Sequence, residues 1–207
     1  LPPVADAGAD QTVECASPAG TSIALDASGS RSPEGSPLTF TWAGPVGTLT
    51  GPKVTATMPL GEHTIALTVS DAKGRTASDT VVATVRDTKA PSLTLSLAIG
   101  QLWPPDHKLV GITANFEVSD ICDPSPTVVR AATTSSEPDR GLGAGDIGND
   151  IQRAVFRTDD GSFFLRAERP PKGPGRIYTV TYEARDASGN TASATAQVTV
   201  PQQRPKP

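Results

Sequence analysis

The segment Asp71-Ala72-Lys73-Gly74-Arg75-Thr76-Ala77-Ser78 returns later in the chain as Asp186-Ala187-Ser188-Gly189-Asn190-Thr191-Ala192-Ser193. Each copy interrupts alternating polar and apolar residues: Thr64 to Ser70 and Thr80 to Val85 flank the first, Tyr178 to Tyr182 and Ala196 to Val200 the second. An Asp/Gly turn between two period-two runs is the pattern of a β-hairpin, since both runs can then put their apolar residues on one face. An internal repeat of this kind predicts tandem domains of one type, each closed by the same terminal hairpin.

With 207 residues the chain has room for two domains of ordinary size. Twenty Pro and nineteen Gly, with abundant Thr, Val and Ala and no long helix-period run, favour short strands joined by turns, hence an all-β class. The first domain is expected over residues 1–88, with strands at Gln11–Cys15, Thr21–Leu25, Leu38–Trp42, Lys53–Thr57, Glu62–Ser70 and Thr76–Val85 and Trp42 in its core. The second is expected over residues 89–201, with strands at Ser92–Ala98, Lys108–Ser119, Thr127–Thr134, Gln152–Phe156, Phe163–Glu168, Arg176–Asp186 and Thr191–Val200. Such a density of short strands is the signal of two tandem immunoglobulin-like β-sandwich domains. A short joint, Arg86 to Pro91, restricts their mutual orientation, and Leu1-Pro2-Pro3 and residues 202–207 read as linkers cut from a longer chain.

A net charge of −4 with interspersed signs offers no basic patch for nucleic acid and no polybasic membrane anchor. No apolar run reaches the roughly 18 residues of a membrane span, and no signal peptide stands at Leu1. Only His63 and His107 could act as imidazole bases; they fall in different predicted domains, without a neighbouring nucleophile or second metal-ligating His, so catalysis is not expected.

The first half resembles the PKD-type modules of bacterial secreted and surface proteins, through Pro3 to Gln11, Leu25-Asp26-Ala27-Ser28-Gly29-Ser30, Leu38-Thr39-Phe40-Thr41-Trp42 and Gly61 to Ser78. The resemblance implies an immunoglobulin-like fold, an extracellular or cell-surface location and a role in spacing or binding, commonly with calcium. The chain departs from that family at Ser32-Pro33-Glu34-Gly35-Ser36, where the family usually has Asp on both sides of the Gly. The second half resembles an uncharacterised bacterial extracellular immunoglobulin-like module, through Leu102-Trp103-Pro104-Pro105-Asp106-His107-Lys108, residues 136–150, Leu165 to Arg169 and Asp186 to Asn190. This implies location and architecture, with no chemistry attached.

Counting strands in a sandwich sorts the loops between its ends. At one end of the second domain Asp120, Cys122, Asp123 and Asp186 are expected to meet Asp87 of the joint. Asp87, Asp120, Asp123 and Asp186 could share calcium, which takes six to eight oxygens; alternatively each Asp serves its own turn. Head-to-tail stacking would bring Cys15 toward Cys122, so the two cysteines read either as an interdomain disulfide or as buried thiols. The opposite end would gather Trp103 and His107 with the long loop 135–151, whose Glu137, Asp139, Asp146 and Asp150 are further calcium candidates. There Trp103 and His107 form a ligand-binding surface, with Trp103 as a platform for sugar or peptide proline, or Trp103 plugs the sandwich while the carboxylates pair with Arg140, Arg166 or Arg169.

These residues point to a non-catalytic extracellular module of a larger secreted or surface protein: a spacer or adhesion segment stiffened by calcium and an interdomain disulfide. The alternative is an accessory polysaccharide- or protein-binding module of a secreted hydrolase. Expected partners are a polysaccharide or surface protein and adjacent domains of the same chain.

Overall fold

The computed structural model describes residues 1–141 and 145–204. They divide into two compact units that part between Thr88 and Lys89. Among the described residues every regular element is a strand, and no helix is long and apolar enough to cross a membrane.

The first domain comprises β1 (Gln11–Glu14), β2 (Thr21–Asp26), β3 (Leu38–Gly44), β4 (Gly47–Thr50), β5 (Lys53–Met58), β6 (Gly61–Asp71) and β7 (Thr76–Arg86). One sheet has the order β1-β7-β6-β3-β4; β2 and β5 pair antiparallel to form the other. The first copy of the repeat is the β6–β7 turn, which joins the longest antiparallel ladder of the domain. Alternation along β6 puts Ile65, Leu67 and Val69 inward, where they meet Ile23 and Leu25 of β2, Met58 of β5 and the buried Trp42 of β3. The Trp42 indole N–H donates to the Gly51 carbonyl at 3.0 Å, so its polar atom is satisfied within the core.

The second domain comprises β8 (Ser92–Leu97), β9 (Leu109–Ser119), β10 (Thr127–Ser135), β11 (Ile151–Gln152), β12 (Ser162–Arg166), β13 (Arg176–Arg185) and β14 (Thr191–Val200). Its sheets have the orders β10-β13-β14 and β11-β12-β9-β8. The second copy of the repeat closes β13 onto β14. Between the sheets lie Ile112, Phe163, Leu165, Tyr178, Val180, Tyr182 and Val198.

Both domains begin in the same way. In the first, Val4 bridges Arg31 antiparallel before β1 runs parallel to β7; in the second, β8 pairs antiparallel with β9 before Gln101 bridges Thr199 in parallel. The leading segment thus crosses from one sheet to the other, which ties each domain's entry to its last strand.

Two expectations need correction. The strand β4 is absent from the sequence reading because it is a four-residue edge, mostly exposed, which carries one half-buried apolar residue, Leu49. The strand expected at Gln152–Phe156 ends at Gln152: Arg153 and Arg157 adopt left-handed backbone (φ 54° and 61°), and Val155 and Phe156 turn outward. Residues 202–204 are also less free than a linker, since Gln202 donates to the Pro170 carbonyl at 2.8 Å and accepts from Arg169 at 3.2 Å. Pro205 to Pro207 lie outside the described residues.

Candidate functional site

The two copies of the repeated turn solve one electrostatic problem differently. In the first, the nearly buried Asp71 accepts the backbone N–H groups of Lys73 and Arg75 at 2.9 and 3.0 Å and the Arg75 guanidinium at 2.7 Å. Arg75 also grips Glu34 through both terminal nitrogens at 2.8 and 2.9 Å, and Lys73 adds a third contact at 2.7 Å. Burial pushes the Asp71 carboxyl up, but Arg75 and the two amides outweigh it and hold the group below the usual carboxylate range. The residue that breaks the family pattern, Glu34, is thus engaged by protein cations, and Arg75 and Lys73 hold it well below that range.

In the second copy Asn190 stands in the place of Arg75. Asp186, 5% exposed, accepts the Asn190 backbone N–H and side-chain amide, each at 2.8 Å. Burial again pushes the carboxyl up, and Asn190 with the amides of Gly189 and Ser188 brings it below the ordinary value. Asp120 accepts the amides of Cys122 and Asp123 at 2.7 and 2.8 Å. The described partners of Asp120 and Asp186 are therefore all neutral. One carboxylate oxygen of Asp120 and one of Asp186, both in the second domain, lie within 4.8 Å of one another. Oxygens on opposite sides of one calcium ion stand at most about 5 Å apart, so this pair is spaced to share a hard divalent cation. Asp123 does not belong to it: its oxygens accept Ser125 and Ala187 amides, both at 2.8 Å, and tie the preceding loop to the hairpin. Cys15 and Cys122 are both buried, and neither is a free thiol; each is disulfide-bonded.

The other end of the second domain carries Trp103, His107 and the acidic loop. The residue that fills the sandwich is Leu102, fixed by its N–H to the Thr199 carbonyl at 2.8 Å; Trp103, one residue on, faces outward at 39% exposure. Trp103 is therefore no plug, because its neighbour Leu102 takes the inward position. His107 has left-handed backbone (φ 62°), and its Nδ1 lies 2.9 Å from Oε2 of Glu168, a carboxylate with no exposed surface.

Within the loop, Asp150 is buried between Arg176, whose Nη1 donates to it, and Arg166, with Nε at 3.2 Å. Asp139 accepts the amides of Asn149 and Asp150 at 2.9 and 2.8 Å, which hold its carboxyl below the usual range. Asp146 accepts the Gly141 amide, and Glu137, half-buried, donates its own amide to the Ser135 hydroxyl at 3.2 Å. The glycine-rich stretch expected to fold on a metal includes Leu142 to Ala144, which lie outside the described residues. Asp139 and Asp150 thus serve the protein's own donors.

Several buried polar residues escaped the sequence reading: Arg130, Glu168, Arg176, Tyr178 and Tyr182. Arg130 is satisfied without a carboxylate, through the Tyr182 hydroxyl at 3.0 Å and the Arg153 carbonyl at 3.4 Å, with a further bond to the Asp160 carbonyl. The Tyr178 hydroxyl accepts from Arg176 and donates to the Arg166 carbonyl, both at 2.9 Å, and burial pushes it up to about 12. The signal for Arg176 was present: the period of two puts Arg176, Tyr178, Val180, Tyr182 and Ala184 on one face of β13, and all five are buried. His63 places a ring nitrogen 2.8 Å from the Pro59 carbonyl.

No curated protein matches the chain. Among solved structures it is similar to the fibronectin(III)-like modules of Clostridium thermocellum CbhA, at 13% identity over 96% of this chain and 94% of that one, with a TM-score of 0.32. It is also similar to Sidekick-1 immunoglobulin domains 1–5 (12% identity, 96% and 39% of the two chains, TM-score 0.37) and to protocadherin gamma B2 cadherin domains 3–6 (12%, 96% and 47%, 0.37). The chain spans less than half the length of the last two. These likenesses are too loose to carry argument. The match to a family model is more specific: it is to the PKD domain and covers residues 1–85. Residues 1–85 thus match the PKD domain, and the second β-sandwich lies beyond that match.

Proposed function

We propose that the chain is a non-catalytic, extracellular segment of a larger secreted or surface protein, a spacer or adhesion element stiffened by calcium and by a disulfide between its domains. The single observation that carries this is the pair Asp120 and Asp186, whose nearest carboxylate oxygens lie within 4.8 Å and which take only neutral described donors. In the first copy of the same turn a guanidinium neutralises the equivalent Asp71. Clustered carboxylates repel one another, and a divalent cation removes that cost. The disulfide rests on the oxidised state of Cys15 and Cys122 in a chain with two cysteines, a state that persists in an oxidising, extracellular setting. A bridge across so long a loop contributes on the order of 4–5 kcal/mol by the chain-entropy estimate. The PKD match supports a modular role, since such modules work as parts of longer chains.

Calorimetric titration with calcium tests the reading. Wild type binds, and Asp186→Asn and Asp120→Asn each abolish the binding heat; a wild type that binds no calcium overturns the cation half of the proposal. The outward Trp103 supports the second reading, an accessory polysaccharide- or protein-binding module. On that reading Trp103→Ala abolishes retention on an insoluble polysaccharide, and unchanged retention removes it.

A further inference from the structure

Between β11 and β12 residues 153–160 leave the sheet as a loop that is held at many points. The Arg157 N–H donates to the Arg130 carbonyl at 2.9 Å, and the Arg130 N–H donates to the Thr158 carbonyl at 2.8 Å. From inside the domain the buried Arg130 guanidinium donates to the carbonyls of Arg153 and Asp160, and the Tyr182 hydroxyl donates to that of Asp160 at 2.8 Å. No carboxylate is hydrogen-bonded to Arg130 among the described residues; its charge is met by these oxygens and by the Phe163 ring, 4.7 Å away. Arg153 and Arg157 take left-handed backbone, which costs a non-glycine residue free energy and persists only where the surroundings impose it. What this costly scaffold presents is Val155 and Phe156, 55% and 61% exposed, while Ala154 beside them packs against the core.

The apolar tip carries charges of both signs. Arg153, Arg157, Asp159 and Asp160 are exposed, and none of them enters an ion pair among the described residues. Two cations and two anions cancel, so an anionic lipid surface gains no net attraction, and a partner of single sign would oppose half of the set. A complementary surface needs an apolar centre with both signs beside it, and the loop is itself such a surface. Phe156 lies midway in sequence between Arg153 and Asp159, so a twofold axis through Phe156 sets Arg153 of each copy opposite Asp159 of the other. We propose that this loop is a self-association site, at which a second copy of the chain docks through the same loop, Phe156 on Phe156 and Arg153 on Asp159. A loop of this size buries less than the roughly 1,200 Å² at which stable interfaces begin, so the contact is weak and gains strength where several copies are displayed side by side.

Sedimentation equilibrium of the oxidised chain from about 1 μM to about 1 mM, with chelator present, tests this. The average mass should rise toward that of a dimer at the upper end. Phe156→Ala, at a position the core does not use, should weaken association about tenfold or more. Arg153→Asp and Asp159→Arg each set like charges against one another in a homodimer and should stay monomeric; an equimolar mixture of the two restores opposite charges at both contacts and should associate as the wild type does. Asp tolerates left-handed backbone, so Arg153→Asp keeps the loop. A wild type that stays monomeric throughout, a Phe156→Ala chain that associates undiminished, or a mixture no more associated than its components would overturn the proposal. The chelator separates this outcome from the calcium reading, on which the contact does not rest.

Discussion

Arg75 and Asn190 occupy one position in two copies of one turn, and the side chain there decides what the preceding Asp requires. Arg75 supplies the cation itself through its bond to Asp71. Asn190 supplies two neutral donors and leaves the charge of Asp186 uncompensated by them beside Asp120. Asn190→Arg should therefore remove calcium binding while the domain stays folded in chelator; titration calorimetry and a thermal melt check the two halves. The buried Asp150–Arg176 contact makes a second demand. Asp150→Ala should cost about 3–5 kcal/mol in urea unfolding, because it strands a guanidinium that has no exposed surface. The double substitution Asp150→Leu with Arg176→Met should recover most of that loss, since a buried ion pair contributes little over well-packed apolar groups.

The hairpins place these residues. Each copy of the repeat ends a ladder of ten paired positions, and the register of that ladder fixes which side chains face inward. Gly175, immediately before β13, has φ 97°, and a Cβ there would lie 2.5 Å from the Val200 carbonyl oxygen. Gly175→Ala should thus destabilise the second domain by roughly 1–3 kcal/mol, the range for a strained backbone, as read by chemical denaturation. Alternation made most strands legible in the sequence, and the repeat located both terminal hairpins. The exceptions have physical causes. In an apolar run of the right composition, Ala154 to Phe156, Val155 and Phe156 face solvent because left-handed residues on either side of the run break the strand. Arg176 and Glu168 were missed because charged residues usually face water, whereas here tertiary partners override that preference. The Asp120–Asp186 neighbourhood could be read from loop order, but the allocation of Asp150 to Arg176 could not, since both lie in one domain yet 26 residues apart.

At the scale of the whole molecule, opposing titrations predict a stability maximum between acid and alkali. Glu34, Asp71, Asp139 and Asp186 are held below the ordinary carboxylate range, so their contribution is present above that range and lost as pH falls through it. Glu168 runs the other way. The melting temperature should drop between pH 5 and pH 2.5, and a melt that is flat over that interval would contradict the assignment. The central claim concerns stiffness: a spacer works only if its domains hold one arrangement, and calcium with a disulfide is proposed to hold them. Small-angle X-ray scattering of the 207-residue chain, first with calcium under oxidising conditions and then with chelator and reductant, tests this most directly. A narrow pair-distance distribution that broadens, with a larger maximum dimension, on removal of both is the predicted result; superimposable profiles would contradict it.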